Sequence, residues 1–471
     1  MPHLSITKLR LENYRSFKML EIDFHPQLTV LIAANGIGKT AILDALAVAF
    51  GPYVGAFDEA VGTHFHANDI RLSRVRVTQS NEMEYAPNGV TLEATGFIPE
   101  SEPTLELKEE RVNAAWKRRL ASPTKAKTTI KEAGVLIRYG KRQQEAVRQG
   151  EDVVLPLLAY YGTGRLWQQK KLTEAKLPRS SRTLGYTDCL DPASSYKSLT
   201  EWFRYWSLNA LQAKLAASET STLYTPTEFD HYIHSVADAV NTCLAPAGWA
   251  ELHYSFAQET LVARHAQYGT LPVELLSDGI RNMLCMVADI AFRATKLNPQ
   301  LGAAAAKTTP GVVLIDEVDM HLHPEWQQSV LGSLTQAFPQ VQFIVTTHSP
   351  QILSSVDMRS IRVLHHIISP ETAQHATVVR HVTQQTRGVS SADVLAQIMG
   401  IDPIPNVPEA KQLQTYHALI QQNRHHTPEG CTCQSQLIAH FGERHPALEA
   451  CDRMIRLQAI KQQHSRPKTE S

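Results

Sequence analysis

Apolar and polar residues alternate from Ile6 to Leu11 and again through Leu20, Ile22 and Phe24, the period of half-buried strands. After Pro26 the pattern changes. Leu28-Thr29-Val30-Leu31-Ile32 is nearly continuously apolar and β-branched-rich, which predicts a parallel strand covered on both faces. Gly311–Ile315 and Gln342–Thr347 have the same character. Helical spacing appears beside them. Ile42, Leu43, Leu46, Val48 and Phe50 follow the first run, and Ile280, Met283, Leu284, Val287 and Ala291 fall on one face ahead of the second. Strands interleaved with helices in this way predict an α/β fold around a parallel sheet.

Chemistry-bearing residues sit where these strands end. Ala33-Ala34-Asn35-Gly36-Ile37-Gly38-Lys39-Thr40 follows the first buried run and opens a helix. It is a P-loop in which Ala33 stands at the first glycine position. Asn35 to Gly38 would wrap backbone N–H groups around a phosphate, with Gly36 and Gly38 supplying the freedom to curl. Lys39 would neutralise the β- and γ-phosphates of ATP, and Thr40 would offer its hydroxyl to Mg²⁺. Asp316 and Glu317 end the second strand. Asp316 would hold Mg²⁺ through water, and Glu317 would polarise the attacking water. Leu276-Ser277-Asp278-Gly279 begins a helix, so Ser277 and the following N–H groups would form a second phosphate-facing helix start; read alone, the segment is first an ordinary N-cap box, and its position ahead of the acidic strand is what raises it. His348 follows the third strand, within reach of a γ-phosphate or of the water that attacks it.

P-loop, L-S-x-G, apolar-Asp-Glu and strand-His, in this order, resemble the ATP-binding-cassette (ABC) ATPases of the SMC/RecF/OLD branch. Leu11-Glu12-Asn13-Tyr14-Arg15-Ser16-Phe17 is similar to that branch's opening strand, and Asp316 to Pro324 to its D-E-x-x-x-H-L-H-P segment. The resemblance implies that two heads sandwich ATP, with Ser277 and Gly279 of one copy reaching the nucleotide held by Lys39 and Thr40 of the other. Arg15 is carried over as a further nucleotide contact. It also implies that Asp319, His321, His323 and Glu325 form a loop at the head-to-head contact. Leu158 to Trp167 and Gly388 to Gly400 resemble the PtuA family, ATPases of Septu anti-phage systems that are also found beside some retrons. That narrower resemblance implies an HNH endonuclease partner of the PtuB type, made as a separate chain.

Lys39-Thr40 and Asp316 are far apart in the chain, and Pro103, Pro123 and Gly134 interrupt any heptad run between them, so a compact inserted lobe is expected instead of a long coiled coil. The expected organisation is 1–98 for the first part of the head, 99–270 for the lobe and its connections, 271–400 for the second part, and 401–471 for a helical tail. Formal charge is zero, with 46 Lys and Arg against 46 Asp and Glu, so DNA or RNA binding would need a local patch. Residues 101–150 are one candidate, and Arg165 to Arg182 are another, flanked by Trp167 and Tyr186 as base-stacking aromatics. A solvated face is the alternative reading of both. No run approaches the length of a membrane helix, and neither the N-terminus nor the six cysteines suggests export, so a cytoplasmic protein with free thiols is expected. His425, His426, Cys431, Cys433 and His440 lack a usual zinc spacing. Without an acidic pair or an HNH-like segment, the tail is expected to dock a partner or a second copy. The function expected is a slow, Mg²⁺-dependent ATPase that gates a nuclease. A RecF-like DNA-repair ATPase is the main alternative; a transporter subunit and a non-hydrolysing sensor are two others.

Overall fold

The computed structural model describes residues 3–77, 80–99, 113–124, 127–166, 181–192, 196–220, 223–368 and 375–464. Its centre is a six-stranded sheet in the order His375–His381, Ile361–Ile368, Leu28–Ile32, Val341–Thr346, Gly311–Ile315 and Leu157–Tyr161. All neighbours are parallel except His375–His381, which runs antiparallel at one edge. Every residue of Leu28–Ile32, Gly311–Ile315 and Val341–Thr346 is buried, which is why these segments carry no alternation. Their carboxyl ends lie together, and the chemistry-bearing loops leave from there.

The alternating N-terminal segments form a separate antiparallel sheet, in the order Phe17–Asp23, Ser5–Tyr14, Val90–Phe97 and Asn113–Leu120. Gln342 ties this sheet to the central one. Its buried side chain donates to the carbonyls of Ile6 (2.8 Å) and His25 (3.0 Å) and accepts from the Ile6 N–H (3.0 Å).

The helix Lys39–Val54 is buried almost all round despite containing Pro52. A proline has no N–H to offer the carbonyl four residues back. Arg118, fully buried on Asn113–Leu120, donates to that orphan, Val48 O, at 2.7 Å, and Trp116 donates to Ala49 O at 3.0 Å.

The stretch 99–270 is shared among several parts. Asn113–Leu120 completes the N-terminal sheet, and Leu157–Tyr161 forms the edge of the central one. The helices Tyr196–Glu219 and Glu228–Leu244 pack against each other, and Trp249–Ser255, Thr260–His265 and Gly269–Pro272 form a small antiparallel sheet. The expected α/β head is therefore met: a mixed fold around a parallel sheet, with helices at the C-terminus.

The chain divides into two compact units, Met1–Val394 and Leu395–Ser471. Within the second, helices Pro408–Gln421, Pro428–Phe441 and Pro446–His464 close on Tyr416, Ile420, Cys433, Leu437, Leu448 and Cys451. Among the described residues no helix is long and apolar enough to cross a membrane.

Candidate active site

The parallel register sets Ile315 opposite Val345, so the loops after both strands emerge side by side. Asp316 is buried. Its Oδ2 accepts from the Thr40 hydroxyl at 2.8 Å and its Oδ1 from the Thr346 hydroxyl at 2.6 Å, while its N–H donates to Tyr161 O at 2.8 Å. Glu317 follows at φ 47°, in the left-handed region that non-glycine residues rarely adopt. Thr346 fixes it there, its hydroxyl accepting from Glu317 N–H at 2.8 Å and its carbonyl from Val318 N–H at 3.0 Å. A strained residue over-determined by its neighbours is a common feature of reacting sites.

Lys39 starts the helix after the loop. It is buried and donates to Ala33 O at 3.0 Å. Burial lowers its pKa, and the nearby carboxylates of Asp316, Glu317 and Asp319 oppose that shift only in part. Gly36 and Gly38 have φ of 80° and 107°, and a Cβ on Gly38 would stand 2.5 Å from Phe17 Cζ. Both glycines are thus required by the backbone. Ala33 is not: it is absent from the residues with positive φ, and its carbonyl is the group that meets Lys39. Asn35, Gly36 and Thr40 are exposed, and Ile37 is buried beneath them.

Arg15, at φ 49°, is held by two carboxylates: its Nε lies 2.8 Å from Asp69 Oδ1 and its Nη1 2.5 Å from Asp44 Oδ2. Asp44 belongs to the P-loop helix and also accepts the Tyr160 hydroxyl at 2.7 Å. His348 is half-buried between two anchored residues. Thr347 donates to Asp319 Oδ1 at 2.6 Å, and Ser349 donates to Gln327 Oε1 at 2.7 Å.

Ser277 is exposed at the N-cap of the helix Asp278–Leu297. Gly279, by contrast, is buried, and a Cβ there would meet the carbonyl oxygen of His321 at 2.2 Å. The glycine lets the loop after Asp316 lie on the start of this helix within one chain. His323 is used locally, its Nδ1 accepting from Glu325 N–H at 3.4 Å.

The donor set suits ATP and magnesium. Thr40 and Asp316 present hard oxygens beside a lysine and a curled glycine loop, and Mg²⁺ takes few protein ligands when phosphates complete its shell. Among the described residues no group of three or more His, Cys, Asp or Glu is assembled for a metal.

Sequence reading missed Thr346, Thr347, Asp44 and Tyr160. Only the threonine pair ahead of His348 gave a local signal. The basic segments need correction. Arg118 is buried against carbonyls, and Arg182 donates to Leu297 O and Val153 O. Tyr186 is buried with its hydroxyl on Pro156 O, so it cannot stack on a base. Lys108, Arg111, Lys125, Trp167, Lys170, Lys171, Lys176 and Arg179 lie outside the described residues, as does the side chain of Arg165.

A family described as an AAA domain matches residues 8–222, and a second AAA-domain family, described with the AbiEii toxin of a Type IV TA system, matches 259–354. The Retron Ec83 probable ATPase of Escherichia coli is 26% identical across 93% of this chain and 84% of its own length. The Septu protein PtuA of Bacillus thuringiensis is 25% identical across 28% of this chain and 33% of its own. Among solved structures, an Smc head bound to the C-winged helix domain of ScpA aligns with 81% of this chain and 98% of its own, at 16% identity and a TM-score of 0.44. Retron ATPases and Septu PtuA are thus relatives of this chain, as the sequence resemblance implied.

Proposed function

We propose that this chain is a Mg²⁺-dependent ATPase of an anti-phage defence system, which pairs head to head and controls a separate HNH nuclease. One observation carries the enzymatic part: Lys39, Thr40, Asp316 and a strained Glu317 converge, with Thr346 bonded to both acids. The relatives named as retron ATPases and Septu PtuA support the defence context.

In this reading the N–H groups from Asn35 to Gly38 and the Lys39 ammonium bind the β- and γ-phosphates. Thr40 and Asp316 would hold Mg²⁺, which when bound neutralises charge on the phosphate oxygens. Glu317 takes the proton of the attacking water, and its fixed backbone aims the carboxylate. His348 hydrogen-bonds the γ-phosphate side. Ser277, exposed on its helix, reaches the nucleotide of a second copy, while Arg15 beside Asp44 answers to the nucleotide side of its own P-loop helix. Gly279 gives the helix Asp278–Leu297 its seat on the carbonyl of His321. Exposed Arg138, Lys141 and Arg142 on the helix Gly134–Arg148 share one face and supply a surface for a nucleic-acid backbone.

Glu317→Gln is expected to keep ATP binding and lose roughly 10²-fold in hydrolysis, whereas Lys39→Ala loses binding. Phosphate release from Glu317→Gln at the wild-type rate would remove Glu317 from its role. Purified alone, the chain is expected to leave plasmid and single-stranded DNA intact with Mg²⁺ or Mn²⁺. Cutting that survives purification and disappears in a point mutant of this chain overturns the division of labour with a partner nuclease.

A further inference from the structure

We propose that the adjacent tyrosines Tyr160 and Tyr161 are positioning residues that bridge the central sheet. They tie the P-loop helix on one face to the Ser277-bearing helix on the other. Neighbouring side chains of a strand point to opposite faces, and here each ends on a carboxylate. Tyr160 donates to Asp44 Oδ1 at 2.7 Å, on the helix that begins with Lys39, and Asp44 also holds Arg15. Tyr161 donates to Asp289 Oδ2 at 2.7 Å, on the helix Asp278–Leu297, where Arg293 Nε binds the same oxygen at 2.8 Å.

The backbone between the two rings is itself part of the active site. Tyr161 O accepts the Asp316 N–H at 2.8 Å, so the strand carrying both tyrosines also sets the height of the metal-side carboxylate. Both rings are buried. The outer side of the strand is pinned where Tyr160 N–H donates to Cys189 O at 2.8 Å and Gly162 N–H to Pro192 O at 2.9 Å. A strand fixed on both sides and through both faces has little freedom to absorb a displacement. A shift of the P-loop helix is therefore passed to Asp316 and to the helix that presents Ser277. In a head-to-head enzyme this couples a chain's own nucleotide to the surface it offers its partner.

The kinetic consequence rests on the ATPase reading; the bridge does not. In steady-state hydrolysis by the full chain, Tyr160→Phe is expected to raise KM and Tyr161→Phe to lower kcat, each by about 5- to 150-fold, the span of typical inter-site coupling. Asp289→Leu, which removes the acceptor of Tyr161 and of Arg293 together, should cost at least as much as Tyr161→Phe, and adding Tyr161→Phe to it should lower kcat no further. A purely structural role moves kcat, KM and thermal midpoint together in both variants, and that pattern overturns the proposal. Amide hydrogen exchange without nucleotide decides the matter independently of turnover. Tyr160→Phe, which cuts only the P-loop face, is expected to speed exchange around Asp289 and Arg293 on the opposite face. Unchanged exchange there sinks the bridge, whereas faster exchange in Tyr160→Phe together with no hydrolysis by the wild-type chain fails the ATPase reading alone.

Discussion

Thr346 makes the sharpest test of the site. Its hydroxyl donates to Asp316 Oδ1 at 2.6 Å and accepts from Glu317 N–H at 2.8 Å, and the residue is 0% exposed. Thr346→Val keeps the shape and removes both bonds. A bond to an ionised acceptor is worth about 1.5–3 kcal/mol, and an unsatisfied buried N–H costs about 1–3 kcal/mol. Asp316 keeps Thr40 and the Glu317 N–H is only partly buried, so the expected loss of stability is about 3 kcal/mol, near the lower end of the combined range. The larger effect falls on hydrolysis. Glu317 at φ 47° sits in a conformation that costs on the order of 1–3 kcal/mol. Without its N–H anchor the peptide relaxes, and a carboxylate displaced by about 1 Å loses roughly 10²-fold in rate. ATP affinity, which the proposed function assigns to Lys39 and the glycine loop, is expected to stay near wild type. Thr346→Ser keeps the hydroxyl and recovers most of the rate. Urea denaturation, phosphate release and binding of a fluorescent ATP analogue read the three quantities. Thr346→Val with full turnover and stability within about 0.5 kcal/mol of wild type would refute the role given to this side chain.

Gly279→Ala places a methyl group 2.2 Å from the His321 carbonyl oxygen, and backbone must move to admit it. A loss of about 1–3 kcal/mol with reduced hydrolysis is expected, whereas Gly332→Ala, with nothing within 4 Å, should be stabilising by about 0.4–1 kcal/mol in urea denaturation. Arg118→Met strips the donor from Val48 O and should cost about 2–4 kcal/mol from groups left unpaired. The loss should shrink by about 1 kcal/mol in a Pro52→Ala background, whose new N–H reaches the same carbonyl; strict additivity in that double-mutant cycle would count against it.

What could be read from the sequence was whatever is local. Leu28–Ile32 and the P-loop are contiguous, so their composition states strand, loop and helix in order. Asp316 and Glu317 follow a run whose uniform burial is visible as uniform apolarity. Thr346 is different. It serves Asp316 only because parallel register brings strands thirty residues apart side by side, and nothing near Asp316 announces it. Gly279 illustrates a second limit. Its type is compatible with a nucleotide contact, but the carbonyl of His321 is sufficient to demand a glycine there. Asp44 and Asp289 are separated by about half of the chain, and the two faces of one strand relate them.

Arg118 shows how a charge count can hide a pattern that was present. Taken with its neighbours it looked like part of a basic stretch available to phosphate. Yet Asn113–Leu120 alternates, and the buried positions are Trp116, Arg118 and Leu120. An arginine in register with a tryptophan and a leucine is an inward residue in search of acceptors. The acceptor is supplied by another sequence feature that reads as a fault. Pro52 should end the helix begun at Lys39 close to Phe50. The helix instead runs to Val54, because the carbonyl orphaned by Pro52 is the one Arg118 reaches. Each residue looks misplaced alone: a cation facing a core, a proline inside a helix. Pro52 leaves the Val48 carbonyl free and Arg118 donates to it, and that bond fastens the N-terminal sheet to the helix that carries Lys39.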